Sequence, residues 1–357
     1  MRSLKASNCE LALMTDTETA IYQAAFELVQ KRVNSVSWRL LVGFFFTLIH
    51  WTTLEAEMTA PKTLFVVMDG IPTDVIERVA TPNLDQITAS GGFGRAYVGG
   101  ETGGASESPT ISAVGYQSLL TGTWANKHQV FNNDAASPDY QYWDIFRMAK
   151  AHDPSLSTAL FSTWEDNRTK LIGDGLAAAG GHKLDYYLDG LERDVERFPK
   201  DRAATNIKAI DGYLAEQAAE YLLAKGPDLS WVYFQYTDDV GHRVGDSPEM
   251  DAAVSFTDGL VGTLWASIEA RQKTLDEDWL IVITTDHGRD ALNGKGHGGQ
   301  SERERSTWIA TNSDCLADRF YATPAIVDIV PSILAHMHIQ VPDTIRAALD
   351  GSSFLTC

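Results

Sequence analysis

Six side chains in this sequence are of the types that bind divalent ions, and each comes just after an apolar run or a glycine-set turn. Asp69 follows TLFVVM. Asp238 and His242 follow LSWVYFQY, with Asp239 as a substitute for Asp238. Asp286 and His287 follow WLIVITT, and His297 stands among glycines in the next loop. Three carboxylates and three imidazoles offer mixed oxygen and nitrogen donors, enough for two divalent ions. A pair of such ions is a recurrent device for phosphoryl chemistry, one activating the attacking oxygen and the other steadying the leaving oxygen. A nucleophile is available in PTISAVGYQSLLTG, Pro109 to Gly122. A helix from Ala113 to Leu120 would put the Ser112 hydroxyl at its amino end, where the helix dipole and free N–H groups favour an oxyanion. A lone Ser at such a place is more often an ordinary helix cap.

The positions of these groups imply the elements that carry them. Leu280 to Ile283, Thr63 to Met68 and Leu229 to Tyr236 leave no polar face, as in strands buried on both sides. Thr158 to Ser162 and Thr307 to Ala310 read as further strands. Helices are expected from Thr81-Pro82-Asn83 to about Gly91-Gly92, and over Asp201–Lys225, Met250–Arg271 and Ala325–Met337. Alternating strands and helices predict an α/β fold, a largely parallel sheet with helices on both faces. Ligands in such sheets gather beyond the carboxyl ends of the strands. Residues 61–357 are expected to form one catalytic domain, with residues 130–200 contributing a small cap.

Composition narrows the function. The chain has 357 residues, is 44% apolar and 10% aromatic, and carries a net charge of −19. A sizeable core is available, and a nucleic-acid polymer is not an expected partner because a basic face is missing. A small anionic substrate remains compatible, since bound ions set the local field. Residues 1–58 read as an extension. Its apolar segment at 40–50 follows Lys31, Arg32 and Arg39 and has signal-peptide grammar. This predicts a periplasmic or secreted protein; the alternative is an uncleaved membrane anchor, for which ten apolar residues are short. Of the three cysteines, Cys9, Cys315 and Cys357, none has CxxC spacing. Cys315 and Cys357 either pair or stay as two free thiols.

Taken in order, FVVMDG, PTISAVGYQSLLTG, Asp238-x-x-x-His242 followed by Gly245, TTDHG, GHGG and PAIVDIVPSILAHM resemble the alkaline phosphatase superfamily, and within it the type I phosphodiesterase/nucleotide pyrophosphatase branch. The resemblance implies an alkaline phosphatase-like fold and a metal-dependent hydrolase of phosphate esters, acting on phosphodiesters, nucleotide pyrophosphates or phosphomonoesters. It implies one ion on Asp238, His242 and His297, and another on Asp69, Asp286 and His287, with Ser112 as ligand and as the nucleophile that forms a covalent phospho-serine. The cofactors would be two divalent metal ions, zinc before manganese, and the partner a small-molecule phosphate ester. Two departures bear on substrate class: Ser112 and Gly115 stand where the branch usually has Thr and, three residues on, Asn, and Ser-Ala is nearer the phosphomonoesterase pattern. The sulfatase signature is absent around Ser112. A phosphoryl mutase or transferase and a metal-binding pseudoenzyme are the alternatives. Lys127, His128, Arg289 and Lys295 are candidate substrate contacts, and Trp124 and Trp164 are candidates for stacking on a leaving group or for the core.

Overall fold

Three apolar runs form the centre of the sheet because both of their faces are covered. The computed structural model describes residues 59–357, so the extension over 1–58 with its apolar segment lies outside the described residues. The strands are β1 (Ala60–Met68), β2 (Gly92–Tyr97), β3 (Thr158–Ser162), β4 (Tyr186–Leu188), β5 (Leu229–Phe234), β6 (Glu277–Thr284) and β7 (Ser306–Thr311). The helices are α1 (Thr73–Arg78), α2 (Pro82–Thr88), α3 (Ser112–Thr121), α4 (Ala125–His128), α5 (Ile145–His152), α6 (Thr205–Lys225), α7 (Tyr236–Val244), α8 (Pro248–Gln272), α9 (Glu302–Arg305), α10 (Ile329–His336) and α11 (Asp343–Ala348).

The sheet runs β2-β7-β6-β1-β5-β3-β4. β6, β1, β5, β3 and β4 are mutually parallel, whereas β7 runs antiparallel to both β6 and β2. In β1 the side chains alternate between two cores. Phe65 and Val67 join the cluster containing Trp231, Tyr233 and the apolar residues of α3 and α5. Leu64, Val66 and Met68 join Val232, Phe234, Ile281, Ile283 and the inner residues of α6 and α8. Two helical layers on one sheet explain why these strands are apolar throughout rather than alternating. The predicted α/β architecture is the observed one.

Differences from the sequence reading are local. β2 (GFGRAY) was not expected; it has two glycines and an exposed arginine and is held by pairing with β7. β4 is a three-residue edge strand. Tyr236 begins α7 rather than ending β5, because the chain turns at Gln235. The helix expected from Ala325 starts as a 3-10 turn over Ile326–Asp328 before α10. From residues 130–200, β3 and β4 join the main sheet. Among the described residues, no helix is long and apolar enough to cross a membrane.

Candidate active site

The sheet order does the first part of the assembly. β6 and β5 flank β1 and all three are parallel, so each outer strand's carboxyl end lies about 4.8 Å from that of β1. Asp69 directly follows β1, Asp286 and His287 follow β6, and Asp238 lies in the first turn of α7 after β5. α7 also carries His242 one turn on, which brings its Nε2 within 3.3 Å of Asp238 Oδ2. The loop after β6 returns His297, whose Nε2 is 3.0 Å from His242 Nε2. The His297 ring is stacked on His287 with centroids 3.7 Å apart.

Ser112 arrives from the opposite layer. It is the first residue of α3, and Ile111 takes the cap position. Its hydroxyl is therefore not spent on capping and lies 3.1 Å from His287 Nε2. The approach needs Gly115: a Cβ there would stand 2.7 Å from the Asp286 carbonyl oxygen and 2.9 Å from Asp286 Cβ. Gly241 has a matching reason, since its Cβ would fall 2.2 Å from Cζ of Arg289.

All seven residues expected to bind metal or carry the chemistry thus meet at one place. Two sets of donors are close enough to share an ion: Asp238, His242 and His297; and Asp69, Asp238 and His287. Asp238 belongs to both sets, while Asp286 Oδ2 stands 3.3 Å from His287 Nε2. Asp239 is turned aside to Gln235, whose Nε2 donates to it at 3.2 Å.

Asp69 and Asp286 each have one oxygen anchored and one open, whereas both oxygens of Asp238 are engaged. Asp69 Oδ2 accepts from the Tyr116 and Tyr233 hydroxyls, the latter at 2.7 Å, and its Oδ1 is buried without a partner. Asp286 Oδ1 accepts from the Gly70 N–H at 3.1 Å, and its Oδ2 is likewise without a partner. Asp238 Oδ1 accepts from Arg289, and its Oδ2 faces His242. The histidines are oriented in the same way. His287 Nδ1 lies 2.9 Å from the Gly288 carbonyl, and His297 Nδ1 lies 2.8 Å from the Thr110 carbonyl. A carbonyl accepts only, so each Nδ1 carries the proton and each Nε2 presents a lone pair inward.

The electrostatics follow from this crowding. Burial, then the negative charges of Asp286 and Asp238, hold the Asp69 carboxyl well above its usual range. Burial pushes Asp286 up to about 7. Burial and the neighbouring His297 hold His287 well below the usual imidazole range, and burial lowers His297 too. Asp238 goes the other way. Its burial would raise it, but the Arg289 guanidinium and the hydrogen bond from His242 outweigh that and keep it strongly acidic. Asp69 Oδ1, Asp286 Oδ2 and His287 Nε2 converge in a buried place where the two carboxyls are raised because no fixed cation offsets their charge, and such an arrangement fits a divalent cation. The residues present therefore suit a two-ion centre.

Of the proposed substrate contacts, the structure brings none to an open phosphate position, and each has a physical reason. Lys127 is spent on Asp350 Oδ1 at 2.5 Å and on the Ala348 carbonyl at 2.7 Å. His128 is fully buried, 3.0 Å from Ser118 Oγ, and its Nδ1 accepts from the Val130 N–H; burial lowers its pKa to about 3. Arg289 is 1% exposed and holds Asp238, the Gly70 carbonyl at 2.9 Å and the Lys295 carbonyl at 3.3 Å. Lys295 is exposed and meets the site only through that carbonyl. Trp124 is a buried neighbour of Tyr97 in the core.

A cavity of about 160 Å³ opens beside Ser112, with Asn133, Trp164, Tyr233 and Gln235 in its wall. Asn133, Tyr116 and Tyr233 were not singled out from sequence. Asn133 Oδ1 accepts from the Ala113 N–H at 3.0 Å, which fixes the amide orientation and leaves Nδ2 as a donor. Its signal was weak, an Asn-Asn-Asp turn after an apolar pair. Tyr116 lies four residues past Ser112 on the same helix, a spacing that could have marked it.

A parallel sheet with carboxylates and imidazoles at its carboxyl edge, facing a serine at a helix amino end, is the architecture of alkaline phosphatase-like proteins. Over residues 63–314 the chain matches the type I phosphodiesterase / nucleotide pyrophosphatase family, and it belongs to that family. It is 26% identical over 252 residues to human ectonucleotide pyrophosphatase/phosphodiesterase family member 7, covering 67% of this chain and 50% of that protein. The chain spans about half the length of the curated relatives it matches. Among solved structures it is similar to an inactive murine ectonucleotide pyrophosphatase/phosphodiesterase 5 in complex with AMP, with TM-score 0.51 and 15% identity over 79% of this chain and 96% of that one. It is also similar to a phosphonate monoester hydrolase of Agrobacterium radiobacter, with TM-score 0.51 and 14% identity over 82% and 76% of the two chains.

Proposed function

We propose that this protein hydrolyses phosphate diesters or pyrophosphates by forming and breaking a phospho-Ser112 bond at a two-ion centre. The observation that carries the reading is the Ser112 hydroxyl 3.1 Å from His287 Nε2, beside two buried carboxylate oxygens without partners. Asp238, His242 and His297 would hold one ion, and Asp69, Asp286 and His287 the other, with zinc favoured by the three imidazoles. When bound, the ions would lower the pKa of the serine hydroxyl and neutralise charge on the phosphoryl oxygens.

Ser112 Oγ attacks phosphorus and loses its proton to solvent; the bond from phosphorus to the leaving oxygen breaks, and that oxygen takes up a proton. Water then attacks phosphorus, the bond from phosphorus to Ser112 Oγ breaks, Oγ takes up a proton, and the phosphate monoester leaves. Ser112 begins the ten-residue helix α3, whose amino end favours the phosphoryl charge. Asn133 Nδ2 donates to a phosphoryl oxygen. Tyr116 and Tyr233 keep Asp69 from rotating by holding its Oδ2.

The wall of the cavity supports diesters over monoesters. Among the described residues, no Lys or Arg lines it. A monoester dianion carries one more charge than a diester, and beyond Ser112 and the ion-binding carboxylates the wall offers that charge only the carboxamides of Asn133 and Gln235, tyrosine hydroxyls and the Trp164 ring. Trp164 offers a flat apolar surface to the leaving group. The AMP in the murine neighbour makes a nucleoside group a reasonable first trial for that position.

The test is turnover of paired chromogenic mono- and diesters by the full chain, with metal analysis of the same sample. The expected outcome is a diester kcat/KM at least about tenfold above that of the monoester, equivalent to about 1.4 kcal/mol. Ser112→Ala should abolish turnover while ion content stays near normal. Full activity in that variant would remove Ser112 from the mechanism, and a preference for the monoester would overturn the substrate assignment.

A further inference from the structure

We infer that Cys315 and Cys357 close into a disulfide in an oxidising thiol buffer, clasping the segment from Asp350 to Cys357 onto the domain. The backbone already aligns the two segments. Leu316 and Leu355 form an antiparallel bridge, Ala317 N–H donates to the Phe354 carbonyl at 2.9 Å, and Thr356 N–H donates to the Cys315 carbonyl at 2.8 Å. The Thr356 hydroxyl reaches the same carbonyl at 3.0 Å. The two cysteines lie just beyond this bridge, and the neighbouring Cys357 is the largest cause that pushes the Cys315 thiol up to about 12. Cys357 is exposed and Cys315 partly so, which leaves the pair open to a small disulfide.

What the clasp would secure lies next to the serine helix. Phe354 is buried against Phe320 with centroids 5.3 Å apart, and its N–H donates to Ser332 Oγ at 2.9 Å. Upstream, Asp350 N–H donates to the carbonyl of Gly122, the left-handed cap just past α3, at 2.9 Å. The Asp350 carboxylate accepts from Trp124 N–H at 2.9 Å and from Lys127. The segment therefore braces the carboxyl end of the helix whose amino end is Ser112, and a bond at Cys357 would stop it peeling away.

The chemistry needs a low-molecular-weight disulfide as oxidant, for example oxidised glutathione. Cys357 thiolate attacks one of its sulfurs, the glutathione S–S bond breaks, and one glutathione thiolate leaves. Cys315 thiolate then attacks the mixed disulfide and displaces the second glutathione thiolate. Two protons leave the cysteines, and two electrons reduce the glutathione disulfide to two thiols.

The experiment treats the full chain, carrying Cys9→Ser, with oxidised or reduced glutathione, followed by alkylation, peptide mapping and thermal unfolding. The expected result after oxidation is an intramolecular Cys315–Cys357 peptide and a melting temperature raised by about 5–10 °C, because a long loop is closed in the unfolded chain. Cys315→Ser, Cys357→Ser and the double variant should each lose the whole rise, since either cysteine is needed for the one bond. Turnover at low temperature should be equal in all four proteins. Both cysteines remaining open to alkylation, a linkage between two chains, or a rise that survives in Cys357→Ser would overturn the inference. None of these readouts depends on which ester is cleaved.

Discussion

Arg289→Met separates two roles that a cation beside a phosphate-processing centre can have. If the guanidinium binds substrate, the substitution raises KM and leaves the fold alone. The structure gives it the other role. Its Nη2 donates to both Asp238 Oδ1 and the Asp238 carbonyl, the latter at 2.9 Å, and its Nε donates to the Gly70 carbonyl at 2.9 Å. Met keeps much of the stem and deletes the charge. Removing one partner of a buried pair costs about 3–5 kcal/mol, because the other charge stays buried and unpaired. The Gly70, Asp238 and Lys295 carbonyls each lose a donor as well, which pushes the cost toward the upper end. A divalent ion on Asp238 would replace the missing positive charge, so the cost in ion-loaded protein should shrink to about 1–2 kcal/mol. Four urea unfolding curves measure this: wild type and variant, each with chelator and with zinc. The expected difference between the two costs is about 2–3 kcal/mol. A cost below about 1 kcal/mol in both conditions, accompanied by a raised KM, would refute the reasoning and return Arg289 to the substrate.

Three further outcomes test neighbouring parts. Gly115→Ala puts a Cβ 2.7 Å from the Asp286 carbonyl oxygen, so α3 must move by several tenths of an ångström; a loss of about 1–3 kcal/mol in stability and at least about tenfold in turnover should follow, and wild-type turnover would contradict the close approach. His242→Ala removes a donor from the half-open set of Asp238, His242 and His297; ion analysis should show reduced occupancy together with reduced rate, and full occupancy would take His242 out of that set. Asp211 is buried under the start of α7, accepting from Tyr236 N–H at 2.8 Å, and burial pushes it up to about 7. A raised carboxyl destabilises the fold above the folded pKa and ceases to do so as pH falls through about 7 toward the unfolded value near 4. In chelated protein, Asp211→Asn should therefore gain stability relative to wild type at pH 8 compared with pH 5; an equal difference at both values would sink the assignment.

The elements that carry the chemistry were legible because they are extreme cases. β1, β5 and β6 are buried on both faces, so they read as unbroken apolar runs, and a charged residue just beyond such a run stands out. The residues that failed are those whose neighbours in space are far away in sequence. Lys127 and His128 follow the serine helix closely, yet α4 turns one toward Asp350 and buries the other against Ser118. Arg289 follows the metal-type residues directly, yet the missing Cβ at Gly241 opens an inward slot for its guanidinium. β2 was invisible for another reason: its glycines and arginine carry no strand preference, and pairing with β7 alone makes it a strand.

The least legible feature is which oxygen of each carboxylate faces the centre, and that is the feature a two-ion reading depends on. An Asp in a sequence offers two equivalent oxygens. Here Tyr116 and Tyr233, the Gly70 N–H and Arg289 each take one oxygen of Asp69, Asp286 and Asp238 respectively. The three anchors come from α3 with β5, from the turn after β1 and from the loop after β6, so no local window contains them. Anchoring one oxygen fixes the rotation of the carboxylate and thereby aims the other, which is how outer partners tune an ion site. The site is thus defined less by its six donor residues than by the groups that orient them. Tyr116→Phe with Tyr233→Phe, which leave every donor in place, should on this argument lower ion affinity by about 10–100-fold, and an unchanged affinity in the double variant would show that the donors alone suffice.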